Sequence, residues 1–219
     1  MFPIILWDLD GTLTDPMEGI TKSVQYALEA VGHPEPDHTK LTPFIGPPLR
    51  EQFALWCGFD SMKEKDKVEY CVAKYRERFG VVGWQENKVL PGIPELLSQL
   101  QKQGRKMAIA TSKPTEYTMK IVEKFGLLQY FDCIVGASLD SSRDTKQKVI
   151  EEVLRQLDVT DLSQAVMIGD RHHDIDGGKG AGLATIGVMF GYGSREEFET
   201  HGADWIIETV EELGAFLGV

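Results

Sequence analysis

The stretch Ile4-Ile5-Leu6-Trp7-Asp8-Leu9-Asp10-Gly11-Thr12 decides how this chain of 219 residues is organised. Its apolar half lies between Pro3 and a carboxylate, which is typical of a strand buried on both faces of a parallel sheet. Asp8 and Asp10 follow at positions i and i+2, so their side chains leave the strand end in related directions. Open α/β sheets bind ligands at that edge, and the pair therefore marks a candidate site.

Three further motifs follow the first one along the chain. Taken alone, an Asp-x-Asp-Gly sequence is more typical of a turn with two solvated carboxylates. The other motifs are Thr111-Ser112-Lys113 after an apolar run, Lys146 at the start of a helix, and Gly169-Asp170 to Asp174 after a strand. In this order the four motifs resemble those of the haloacid dehalogenase (HAD) superfamily of phosphotransferases. The flanking residues most resemble the phosphoglycolate phosphatase and bacterial 5′-nucleotidase group within it.

Two of these motifs are candidates for binding phosphate. Thr111 and Ser112 end a strand just before a helix predicted from Pro114, where hydroxyls and free N–H groups suit an anion. An ordinary helix cap is the alternative. Lys146 lies on the apolar stripe of its own helix and therefore needs an anionic partner, unless its ammonium group reaches water. The resemblance implies that Thr111 and Lys146 hold the phosphate oxygens.

Carboxylates from separate motifs are expected to meet at one edge of the sheet. They are Asp8, Asp10, Asp170 and Asp174. A cluster of oxygen ligands suits a hard divalent cation, and Mg²⁺ is the predicted cofactor. His172 and His173 are expected to be solvated loop residues, because adjacent histidines point apart and the other ligands are all oxygens.

The resemblance to the HAD superfamily also implies a stepwise phosphoryl transfer. Asp8 would attack phosphorus and form an aspartyl phosphate. Asp10 would protonate the leaving oxygen and then activate water. Mg²⁺ would be held by Asp8, the Asp10 carbonyl and Asp170, with Asp174 acting directly or through water.

The hydrophobic pattern predicts an α/β protein with an insert. Apolar residues recur at helical spacing across residues 15–83, and no convincing strand appears there. Strand and helix patterns alternate from residue 84 onwards, which predicts a doubly wound parallel sheet. We therefore expect a Rossmann-like core of residues 1–14 and 84–219, with an all-helical cap of residues 15–83 inserted after the first strand.

The predicted cap offers several candidate substrate contacts. The loop Phe44-Ile45-Gly46-Pro47-Pro48 joins two helices, and in related caps the corresponding loop lies over the active site. Phe44 and Gly46 are therefore candidates, and so are the cations Arg50 and Arg76. Helix packing is the alternative for the aromatic ring.

Composition narrows the possible partners. A net charge of −11 argues against a nucleic-acid surface, which needs a positive field. The first residues contain no basic segment and too short an apolar run for a signal peptide or a membrane span. Three cysteines at wide spacing are typical of a reduced cytoplasmic protein. The sequence gives no indication of the oligomeric state.

The predicted function is Mg²⁺-dependent hydrolysis of a small phosphomonoester, either phosphoglycolate or a 5′-nucleotide. A sugar phosphomutase of the same superfamily is an alternative, because such enzymes also have both acids that correspond to Asp8 and Asp10. A catalytically silent binding protein is the alternative from a different class. Such proteins commonly lose one of the motif acids, and this chain has all of them. Asp10 argues against a dehalogenase, because dehalogenases of this superfamily share the fold but lack an acid at the position that Asp10 occupies here.

Overall fold

The computed structural model describes residues 2–60, 62–138 and 143–219. The chain divides into two compact units. The α/β unit consists of Met1–Asp15 with Val89–Val219, and the helical unit consists of Pro16–Lys88. The predicted boundaries, after residues 14 and 83, lie one and five residues earlier. The helical unit ends later than predicted because the turn Gly83–Gln85 belongs to it. The Gly19 N–H of this unit donates to the Glu86 carbonyl at 3.0 Å.

The described residues contain eight strands. They are β1 Ile4–Trp7, β2 Thr14–Asp15, β3 Lys88–Val89, β4 Lys106–Pro114, β5 Cys133–Ala137, β6 Ala165–Gly169, β7 Ala184–Val188 and β8 Trp205–Ile207. Nine α-helices are described as well. They are α1 Met17–Ala30, α2 Leu49–Cys57, α3 Lys65–Phe79, α4 Ile93–Lys102, α5 Thr115–Lys124, α6 Lys146–Gln156, α7 His172–Gly180, α8 Arg195–Thr200 and α9 Val210–Leu217.

A six-stranded sheet with the order β5-β4-β1-β6-β7-β8 forms the centre of the α/β unit. Every pairing in it is parallel. The predicted doubly wound parallel sheet is therefore confirmed. The chain runs outwards from β1 through β4 to β5 and then returns to β6 on the other side of β1. Ligand sites of open α/β sheets lie where the strand order reverses, which here is the carboxyl end of β1.

The first strand is central because it is apolar on both faces. Ile5, Leu6 and Trp7 are all fully buried. Leu6 lies in register with Ala108 of β4 and Met167 of β6, and all three belong to one hydrophobic cluster with residues of α6. This packing fixes the strand ends, and the polar residues that follow them project from a rigid frame.

Two local predictions are wrong. The helix predicted from Pro114 begins at Thr115, because β4 continues through Pro114 with a register shift between Thr111 and Pro114. His172 begins α7 and does not lie in a loop. That helix starts early because Asp174 Oδ2 accepts the Arg171 backbone N–H at 3.1 Å, which caps its first turn.

The helical unit is built around α1, α2 and α3 together with the 3₁₀ helices His38–Phe44 and Gly83–Gln85. Leu28, Phe53 and Val72 are among the buried residues that these three helices contribute to its core. Among the described residues, no helix is long and apolar enough to cross a membrane.

Candidate active site

The carboxyl ends of β1, β4 and β6 and the first turns of α6 and α7 bring the predicted residues together. The buried polar side chains at this edge include Asp8, Asp10, Thr12, Thr111, Lys113, Lys146, Asp170 and Asp174. All of them belong to the α/β unit. Such a concentration of buried charge is unusual, since charged groups stay inside a protein only when they are paired or bind a ligand.

Lys146 joins two of the carboxylates. Its Nζ donates to Asp8 Oδ1 at 2.7 Å and to the Ala110 carbonyl at 3.0 Å, and it lies 2.7 Å from Asp174 Oδ1. Although burial alone would lower it, the pKa of Lys146 is raised by the carboxylates of Asp174 and Asp8. The lysine is therefore a permanent cation between a strand end and a helix.

Asp10 has a separate cationic partner. Lys113 Nζ lies 2.7 Å from Asp10 Oδ2, and the two side chains are only 5% and 11% exposed. Burial raises the pKa of Asp10, while the ammonium group of Lys113 acts in the opposite direction. The sequence reasoning missed Lys113 as a site residue. Its spacing was the available signal, because residues i and i+2 of a strand share a face and Thr111 was already assigned to the site.

Asp170 is the most enclosed carboxylate of the group. Its Oδ1 accepts from Thr12 Oγ1 at 3.3 Å, and its Oδ2 accepts from the Tyr192 backbone N–H at 2.8 Å. Burial and the carboxylates of Asp174 and Asp8 raise its pKa well above the usual range. A Cβ at Gly11, whose φ is +84°, would lie 2.1 Å from Asp170 Oδ2, so this close approach requires glycine.

The residues present fit a divalent metal ion. Asp8, Asp170 and Asp174 each offer one carboxylate oxygen, and these oxygens lie within 4.8 Å of one another. With Asp10 the site holds four carboxylates against the two ammonium groups of Lys113 and Lys146. The excess of two negative charges and the all-oxygen donor set suit a cation such as Mg²⁺. The Asp10 side chain is outside this oxygen cluster among the described residues.

The two hydroxyl residues of the second motif differ. Thr111 is buried, and its Oγ1 accepts the Lys113 backbone N–H at 3.2 Å, which leaves the hydroxyl proton available to another acceptor. Ser112 points the other way and is exposed. Strand alternation explains the difference. Phosphate binding by Thr111, Ser112 and Lys146 stays a prediction.

The predicted substrate residues of the helical unit have different surroundings. Phe44 is 2% exposed, and its ring packs against Phe53 at 5.0 Å between centroids. Arg50 Nε donates to Glu69 Oε1 at 2.5 Å. Gly46 adopts a φ of +99°, and Arg76 is exposed on α3. Their contacts with substrate stay predictions.

The two histidines of the fourth motif are partly buried. His172 Nδ1 lies 2.6 Å from Glu197 Oε1, and its ring centroid is 3.9 Å from that of His173. Burial lowers the pKa of His173 to about 4. The expectation of solvated side chains is therefore wrong, because α8 supplies a carboxylate that covers the start of α7.

Residues 5–188 match the sequence model of the family described as "Haloacid dehalogenase-like hydrolase". The chain belongs to this family. The resemblance read from the four motifs and the prediction of an enzyme of this hydrolase superfamily are both confirmed.

Several known proteins are similar to this chain over nearly its whole length. The 5′-nucleotidase of Pseudomonas aeruginosa is 44% identical over 200 residues, which cover 91% of this chain and 88% of that protein. The tyrosine-protein kinase PtkA of Mycobacterium tuberculosis is 36% identical over 224 residues, which cover 99% of this chain and 72% of that protein. The crystal structure of "a predicted phosphatase" from Clostridium acetobutylicum superposes with a TM-score of 0.93 at 41% identity, covering 99% of this chain and 98% of that one.

Proposed function

We propose that the protein is a Mg²⁺-dependent phosphomonoesterase that hydrolyses a small phosphorylated metabolite through an aspartyl phosphate on Asp8. The observation that carries this proposal is the placement of Asp8. Its carboxylate is buried at the end of the central strand, pairs with Lys146 at 2.7 Å, and shares an oxygen cluster with Asp170 and Asp174. A nucleophile for phosphorus needs such surroundings, because two anions must approach each other.

Each site residue then has one task. Asp8 attacks phosphorus, while Thr111 and Lys146 bind the nonbridging oxygens and stabilise the charge that develops on them. Asp10 donates a proton to the leaving oxygen and, in the second step, takes a proton from the attacking water. Asp8, Asp170 and Asp174 would hold the metal, with the Asp10 carbonyl as a further ligand. The bound metal supplies charge neutralisation for the phosphoryl group.

Two substrates are the leading candidates. A relative that is 44% identical carries the name 5′-nucleotidase, which supports a 5′-nucleotide. The residues around the motifs resemble phosphoglycolate phosphatases and support phosphoglycolate. A small phosphorylated metabolite as the partner accords with the names of these relatives. A cytoplasmic location accords with the three free cysteines, Cys57, Cys71 and Cys133.

The proposal is tested by measuring phosphate release over a panel of phosphorylated metabolites, with Mg²⁺ and with a chelator. We expect Mg²⁺-dependent release from small monoesters. Absence of release from every monoester would overturn the proposal. Conversion of a hexose bisphosphate to an isomer without release would favour the phosphomutase alternative.

Residues of the helical unit are proposed to set the choice between the two substrates. A carboxylate substrate would need a cation such as Arg50 or Arg76 once water is excluded, whereas a base needs a stacking face worth about 1–3 kcal/mol. Arg50→Ala and Arg76→Ala should therefore lower kcat/KM for phosphoglycolate selectively. Phe44→Ala should instead lower kcat/KM for both substrates through lost packing, because the Phe44 ring is 2% exposed and packs against Phe53. Lys63→Ala serves as a control, since its side chain is 83% exposed. Equal losses on both substrates in the Arg50 and Arg76 variants would assign these two arginines to packing.

A further inference from the structure

A lysine reaches the site from β4, next to a break in the regular pairing of that strand. Thr111 pairs with Gly136 and Pro114 pairs with Ala137, so two residues of β4 are inserted opposite one step of β5. The inserted residues are Ser112, which is exposed, and Lys113, which is buried. Lys113 therefore lies on the same face of β4 as Thr111, as strand alternation requires. The Lys113 backbone N–H is fixed as well, since it donates to Thr111 Oγ1 at 3.2 Å.

The Lys113 side chain contacts only one carboxylate oxygen of Asp10. Lys113 Nζ lies 2.7 Å from Asp10 Oδ2, whereas Asp10 Oδ1 is buried and makes no hydrogen bond among the described residues. A buried carboxylate oxygen without a hydrogen-bond partner is destabilising unless a ligand supplies that partner. The free oxygen is thus the one available to exchange a proton.

The two buried lysines have different carboxylate partners. Lys146 contacts Asp8 and Asp174, which both belong to the metal-binding oxygen cluster, whereas Lys113 contacts Asp10, whose side chain does not. This division separates a carboxylate that handles protons from the carboxylates that handle the phosphoryl group and the metal.

We propose that Lys113 is a positioning residue for acid–base catalysis: it anchors Asp10 through Oδ2 so that Oδ1 faces the leaving oxygen. This inference rests on the proposed function. In the first step the ester P–O bond breaks, its electron pair stays on the leaving oxygen, and that oxygen takes the proton of Asp10, while the bond from Asp8 to phosphorus forms. In the second step water attacks phosphorus, gives a proton to Asp10, and the Asp8–phosphorus bond breaks.

Leaving-group dependence separates this role from a merely structural one. An alkyl phosphate needs protonation of its leaving oxygen, whereas 4-nitrophenyl phosphate hardly does. Lys113→Met should lower kcat/KM for the best alkyl monoester at least about 10-fold, a fraction of the roughly 10²–10⁴-fold worth of a general acid–base group. The same variant should change kcat/KM for 4-nitrophenyl phosphate less than about 3-fold. Lys113→Arg should have a higher kcat/KM for the alkyl ester than Lys113→Met has. Lys106→Met, an exposed lysine of the same strand, is the matched control.

A double-mutant cycle completes the test. In an Asp10→Asn background, Lys113→Met should cause no further loss on the alkyl ester. Equal losses on both esters, or additive losses in the cycle, would overturn the positioning role. Should Lys113→Met not fold, Lys113→Gln and the double variant give the same comparison, since the double variant leaves no unpaired charge. Phosphate release by the wild-type protein tests the proposed function separately, so the two failures are distinguishable.

Discussion

Both units of the molecule carry exposed ion pairs, but among the described residues the pairs with side chains less than about a tenth exposed belong to the α/β unit. In the α/β unit, Lys146 and Asp8 pair at 2.7 Å with side chains only 5% and 8% exposed. In the helical unit, Arg50 and Glu69 pair at 2.5 Å with side chains 49% and 39% exposed. The distances are alike, but water screens the second pair and not the first. Burying charge is a poor way to gain stability, so the buried pairs point to function, whereas exposure of a pair gives no such indication.

The sharpest test of this contrast removes the proposed nucleophile. Asp8→Asn should lower phosphate release by more than roughly 10⁴-fold, as the loss of a covalent nucleophile does elsewhere. The fold should persist, with a melting temperature equal to or above that of the wild type, because one of four clustered carboxylates loses its charge. Steady-state turnover and thermal unfolding of the purified variant, checked by mass spectrometry for deamidation, measure both. Substantial turnover would exclude Asp8 as the nucleophile.

The next largest effect concerns stability. Lys146→Met should lower the free energy of unfolding by about 3–5 kcal/mol, the range for breaking a buried pair and leaving its partner charged. Denaturant unfolding in a chelator measures the change. A loss below about 1 kcal/mol would mean that the carboxylates of Asp8 and Asp174 are far less dependent on this cation than their burial indicates.

Metal binding should also reduce the repulsion among the clustered carboxylates of the site. A ligand that binds only the native state stabilises it by roughly 2.7 kcal/mol at 100 Kd. Millimolar Mg²⁺ should therefore raise the melting temperature, and Asp170→Ala should remove most of the rise. A full Mg²⁺ response in the variant would place the metal elsewhere.

The pH dependence of this response follows from Asp170. Its pKa is raised in the fold, so the folded chain binds this proton more tightly than the unfolded chain does. Lowering the pH therefore favours the metal-free fold at this group, and protons compete with the cation. The Mg²⁺-induced rise in melting temperature should be smaller at about pH 5 than at about pH 8.

The smallest effect is expected for the exposed pair. Arg50→Met, the counterpart of the Lys146 substitution, should change the free energy of unfolding by no more than about 1 kcal/mol, because exposed pairs contribute about 0–1 kcal/mol. The same denaturant experiment measures it. A loss as large as that of Lys146→Met would remove the contrast between the two units.

Much of the site was predictable because its signals are local. An apolar run of strand length predicted β1, and the positions of Asp8 and Asp10 after it follow from strand periodicity. The helical stripe of α6 predicted that Lys146 would be buried, and its Nζ indeed lies between two carboxylates. Each of these inferences needs only the order of residues within one element.

Tertiary structure alone decided the rest. The pairing of Lys113 with Asp10 depends on β4 lying beside β1, two strands that are far apart in the sequence. Thr12 and Tyr192 reach Asp170 across 158 and 22 residues of sequence, and Glu197 covers His172 across 25. Local periodicity decides which elements form and which strand ends carry a carboxylate, since periodicity is a property of single segments. Which acid meets which cation was decided by the packing of strands and helices far apart in the chain, since burial and ion pairing depend on every neighbour in space.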